Sequence, residues 1–131
     1  MAHESGKFPL ALGPTFLKQS PDLAPIEAAR KTFLSLASTY ETKESIVADR
    51  ILRSIDTLRL RKEALLVQME ELLAEAMYEK WSDKRRRPTL RLAAMVAIGA
   101  LRIAKENWRQ DEAAHPLTYH INKTFDLLNR M

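Results

Sequence analysis

From Pro25 onward the apolar residues recur at the three- and four-residue intervals of amphipathic helices. Ile26, Ala29, Phe33, Leu36 and Tyr40 make a first stripe, and Pro25 suits the opening turn of its helix. "YETKES" interrupts the stripe, with Thr42 placed to cap a second helix carrying Val47, Ile51 and Ile55. Ser54, Asp56 and Thr57 supply another break. A long helix then runs from Leu58 to about Trp81, with Leu65, Met69, Leu72 and Ala76 along one seam. Leu66, Leu73 and Met77 lie beside that seam, so the stripe is wide enough to face a core. "SDKRRRP" is a polar connection, and Pro88 opens the next helix. "DEAAHP" leads from it to a last helix, begun by Pro116, with Leu117, Ile121, Phe125 and Leu128 on its apolar face. In residues 1–23, Phe8, Leu12, Phe16 and Leu17 share a face that Pro9, Gly13 and Pro14 disturb, which predicts a short or kinked helix. Nothing alternates as a strand does. The pattern predicts an all-α bundle of five to six helices, divided into an N-terminal segment (1–23) and a helical domain (24–131).

The helix after Pro88 contains ten consecutive uncharged residues, Leu92 to Leu101. A membrane span needs about 20 apolar residues, so this run is no span. Arg85, Arg86 and Arg87 precede it, but there is no aromatic interleaving for base stacking, and they read as a solvated lead-in. Burial remains. Ala93, Ala94, Ala97, Gly99, Ala100 and Ala104 fall on several sides of the cylinder, with Leu92, Met95, Val96, Ile98, Leu101 and Ile103 between them. A helix apolar nearly all round needs cover nearly all round. A second subunit or a central position in a monomer would each provide it. The small residues permit close backbone approach, which favours the subunit. The expected dimer interface is then Leu90, Ala93, Ala94, Ala97, Ala100, Leu101, Ala104 and Trp108, completed by Leu117, Ile121, Phe125 and Leu128 of the last helix. Together they predict a four-helix seam about a twofold axis. On this reading Ala97→Glu or Ala100→Glu splits the dimer.

Composition narrows the functions. With 21 Lys+Arg against 17 Asp+Glu the net charge is only +4, and acids interrupt the bases, unlike the basic stripe of a nucleic-acid binder. The absence of cysteine excludes disulfides and thiolate metal sites. "MAHESGKFPLALG" lacks a basic segment followed by a long apolar one, so a cytoplasmic protein is expected. There is no nucleophile with a base at useful spacing and no glycine-rich phosphate loop, so neither enzyme activity nor a cofactor is expected. His115 and His120 are five apart and do not share a helix face as i,i+4 metal ligands would, so no metal site is expected either. Met69, Met77 and Met95, with Phe33, Tyr40 and Trp108, are candidates to line an apolar cavity, plain core packing being the alternative.

"RPTLRLAAMVAIGALRIAKENWRQ", a short polar turn and "PLTYHINKTFDLLNRM" together resemble the C-terminal regulatory domain of the tetracycline-repressor (TetR) family of transcriptional regulators. "LAPIEAARKTFLSLAS" and "ADRILRSIDTLRLRKEALLVQMEELLAEAM" look like that family's preceding helices, so the resemblance covers about residues 22–131. It implies that the last two helices form the homodimer's four-helix bundle and that earlier ones enclose an apolar effector. Ligand-binding candidates on that basis are Phe33, Tyr40, Ile55, Met69, Leu73, Met77 and Met95. The family's N-terminal DNA-binding domain has no counterpart here, so DNA would be reached only through a missing domain. The expected function is therefore ligand sensing and dimerisation in a regulator. The alternative is a homodimeric interaction module without a ligand. A more remote one comes from "LRSIDTLRLRKEALLVQ", which superficially resembles the first long helix of all-helical chorismate mutases and offers Arg53, Arg59, Arg61 or Lys62 to a dicarboxylate.

Overall fold

Five helices form among the residues that the computed structural model describes, 2–37, 56–112 and 114–131, and no strand does. They are α1 (Ala2–Leu17), α2 (Pro25–Leu36), α3 (Asp56–Lys80), α4 (Arg87–Gln110) and α5 (Leu117–Asn129). A 3₁₀ turn, Lys84–Arg86, leads into α4. The helix expected after Thr42 lies outside the described residues.

The uncharged run sits in α4, and α4 is the hub. Helices α2, α3 and α5 all pack on it, α1 lies across α2 and α3, and α5 also meets α2. Ala94, Ala97, Ala100 and Ala104 are all buried. Their small side chains keep α4 slim where its neighbours press on it, so larger groups from those neighbours can fill the space. Phe16 of α1, Phe33 of α2, Met69, Leu73 and Met77 of α3, and Ile121 and Phe125 of α5 supply them. Phe33 and Phe125 meet with ring centroids 6.0 Å apart.

Helix α1 is longer than the short alternative expected for this segment. It is one helix of 16 residues that runs through both Pro9 and Pro14, although an interior proline costs roughly 3 kcal/mol. Tertiary contacts offset that cost. Leu12 and Phe16, one turn apart, are wholly buried, and the Phe16 ring meets Trp81 edge-on at 5.8 Å. The end of α1 is also anchored: the Lys80 ammonium donates to the carbonyls of Leu17 and Gln19, and the Trp81 indole N–H donates to that of Pro21. A cation on carbonyls left open by a helix C-terminus is favourable both as a cap and against the helix dipole.

The three arginines before Pro88 are exposed, as a lead-in should be, but each has a partner within the corner. Asp83 accepts from the Arg85 backbone N–H at 3.0 Å and from its guanidinium. Arg86 lies over Trp81 at 5.2 Å and Arg87 over Tyr78 at 4.9 Å. Ion pairs then set the register of the bundle. Glu70 and Glu63 of α3 accept from Arg91 and Arg102 of α4. On the other side Arg30 of α2 donates to the Asn122 carbonyl and the Asp126 carboxylate of α5. Partly exposed pairs of this kind are worth about 1 kcal/mol or less each, so packing holds the helices and the pairs align them. No helix among the described residues is long and apolar enough to cross a membrane.

Candidate functional site

The twelve residues expected to form a dimer seam turn inward. Leu90, Ala94, Ala97, Ala100, Leu101, Ala104, Trp108, Leu117, Ile121 and Phe125 are buried, and Ala93 and Leu128 are half-buried against the same core. One chain already encloses them, and they offer a second copy almost no surface. The physical reason is that alanines on a helix admit a close neighbour whether that neighbour comes from another subunit or from the same chain. Within one chain α4 takes the central position of the alternative reading.

What α4 turns outward is a different set. Leu92, Met95 and Ile103 are 56 %, 47 % and 52 % exposed, with Val96 and Gly99 half-buried between them. Positions 92, 96, 99 and 103 climb one face at helical spacing. A Cβ built on Gly99 would meet nothing within 4 Å, so the middle of this face lies open. The Arg91–Glu70 and Arg102–Glu63 pairs flank it on the α3 side. The result is an apolar strip, low at its centre and edged by charge.

Of the ligand-binding candidates, Phe33, Met69, Leu73 and Met77 are core residues, and Met95 belongs to the exposed strip. Tyr40 and Ile55 lie outside the described residues. A groove of about 460 Å³ opens elsewhere, between α1 and α3, where Gly13, Pro14, Leu17 and Leu72 line it and Glu75, Glu79 and Arg87 charge its rim. None of the five described candidates lines that groove. Of the cations a mutase-like site would gather, Arg61 is exposed; Arg53 and the side chains of Arg59 and Lys62 lie outside the described ones.

Two features escaped the sequence reading. Lys105, in the last third of α4, is buried. Burial, reinforced by the charge of Arg109, pushes its ammonium down to about 7. The second feature is the corner between α4 and α5. Asp111 caps α4, and its Oδ2 stands 3.2 Å from His115 Nδ1 and 2.6 Å from His120 Nε2. The face rule that separated these histidines holds only along one continuous helix. His115 is in the loop and His120 in the first turn of α5, so Pro116 and the chain reversal bring them together. The readable signal was Asp111 at i,i+4 from His115. Partial burial opposes ionisation of Asp111, yet the bonds from His120 and His115 outweigh it and hold the carboxyl below its usual range. Its contribution to stability is therefore present above the ordinary carboxylate pKa and is lost as pH falls through the lowered one.

The same corner needs a left-handed residue, and Glu112 occupies that position with φ 53°. This is the position after a helix cap where glycine is usual. Replacing Glu112 with Gly relieves the strain at some cost in unfolded-state entropy, for an expected net gain of up to about 1 kcal/mol. Urea denaturation of Glu112→Gly should show a higher midpoint; a lower one would mean that the corner is not strained. Compared with protein-family models, curated proteins and solved structures, the chain matches none.

Proposed function

We propose that the chain is a helical dimerisation and regulatory domain of the tetracycline-repressor type, pairing with a second copy through the outward strip of α4. The observation that carries this reading is the strip itself: Leu92, Met95, Val96 and Ile103 around an open Gly99, on the helix that organises the fold. A twofold axis midway between Val96 and Gly99 would set Leu92 of one copy against Ile103 of the other and Val96 against Gly99, as an isologous interface requires. The missing side chain at Gly99 would let the two helices cross closely. The order of the helices, ending in the α4–α5 pair, supports the same reading. As a sensor, the domain would admit an apolar effector by displacing packed core side chains such as Met69 and Met77. It would act by shifting the population of subunit arrangements, with DNA contacted only by an attached domain.

Light scattering at tens of micromolar tests the pairing, with a dimer expected for the unaltered chain and a folded monomer for Ile103→Glu. A monomeric unaltered chain overturns it. A screen of apolar compounds by thermal shift tests the sensing, because a ligand of the native state raises the midpoint by mass action. A dimer that no compound stabilises would favour the ligand-free interaction module.

A further inference from the structure

We propose that Asp111, His115 and His120 form a binding site for a divalent transition-metal ion, with zinc the best match, that clamps the corner between α4 and α5. A carboxylate oxygen and two imidazole nitrogens, one from each residue, all lie within 4.8 Å of one another. In tetrahedral zinc sites with ligand distances of about 2.0–2.2 Å, neighbouring donor atoms stand roughly 3.3–3.5 Å apart. Asp111 Oδ2 is now 3.2 Å and 2.6 Å from the two nitrogens. An ion therefore needs the carboxylate to withdraw from His120 and the exposed His115 ring to swing in, with no change in the path of the chain.

The surroundings hold the three ligands toward one another. His120 is buried, and its ring orientation is fixed in the first turn of α5. The His115 ring stacks on Tyr119 with centroids 4.4 Å apart and planes 19° from parallel. Asp111 Oδ1 is occupied by the backbone N–H of Ala114 at 3.2 Å, which aims Oδ2 at the two rings. Outer contacts of this kind orient ligands in metal sites. Two imidazoles and one carboxylate suit zinc and its first-row neighbours, whereas calcium and magnesium prefer oxygen alone. Each imidazole presents its lone pair once its proton sits on the other ring nitrogen, and water completes the fourth position. The ion would join the cap of α4 to the first turn of α5 across the short loop.

Titrating the whole chain with Co²⁺ in the visible region, displacing it with Zn²⁺ and recording the unfolding midpoint at micromolar zinc tests the site. The expected result is one ion per chain, imidazole-type Co²⁺ bands lost on adding zinc, and a raised midpoint. His115→Ala removes an exposed side chain and leaves the fold in place, which circular dichroism verifies. It should weaken binding by roughly tenfold or more, and His120→Gln should weaken it further. Failure of both ions to bind at tens of micromolar overturns the proposal. So does binding that survives both substitutions, which would place the ion elsewhere, for instance on His3.

Discussion

Ala97→Glu is expected to unfold the chain, whereas Leu92→Glu, little more than one helical turn away on α4, should leave it folded and abolish the proposed pairing of two copies. Ala97 is wholly buried and Leu92 is 56 % exposed. A carboxylate forced into the core at Ala97 overpacks it and loses its hydration, a combination costing about 4–5 kcal/mol or more. A domain of this size has roughly 5–15 kcal/mol in all, so a third or more of its stability goes. At Leu92 the same side chain reaches water in the free subunit, and its cost falls only on the paired state. Circular dichroism and light scattering on both variants separate the two outcomes. Dissociation with an intact fold in Ala97→Glu would show that the alanine face, and not the outward strip, joins the copies.

The second large effect concerns pH. The Lys105 ammonium, held down to about 7 in the folded chain, regains the ordinary lysine value of about 10.4 on unfolding. Between those values the unfolded chain binds more protons than the folded one, so raising the pH favours folding. Below about pH 7 the lysine is protonated in both states and its burial costs the most. The slope is at most about 1.4 kcal/mol per pH unit, so stability should climb by several kcal/mol from neutrality to about pH 10. Urea midpoints across that window measure it. Lys105→Met should be more stable at neutral pH and nearly flat over the same range. Equal slopes in the two proteins would mean that Lys105 reaches water.

The helices were readable because their faces repeat at helical spacing, and the all-α class follows from that alone. The side to which each face turned was less readable. In α3 the wide stripe around Met69, Leu73 and Met77 is buried as the pattern implied, while Leu72, placed on the same seam, stays 37 % exposed. Within the uncharged run of α4 the apolar residues surround the helix, so that stretch taken alone carries little direction. The face that went inward, where three helices crowd, carries Leu90, Ala94, Ala97, Leu101, Ala104 and Trp108, and Leu92, Met95 and Ile103 were left outside. The Asp111–His115–His120 cluster was hidden because the argument from spacing assumed a helix where the chain turns. The buried Lys105 was hidden because a charge at the end of an apolar run ordinarily reads as the return of solvent. Prolines made α1 look weaker than it is, since the anchors that hold it, Lys80 and Trp81, lie more than sixty residues further along the chain.

The chain holds two tryptophans, and the fold has put them before and at the end of α4, a helix about 36 Å long. Trp81 has its indole on the Pro21 carbonyl, Phe16 at its edge and Arg86 on its face. Trp108 is sealed in the core near the turn into α5. The molecule thus carries its own pair of fluorophores, one reading the seat of the N-terminal helix and one the closing corner. With Trp81→Phe and Trp108→Phe, each can be watched alone, and whether α1 frays before the corner opens becomes a matter of which emission reddens first.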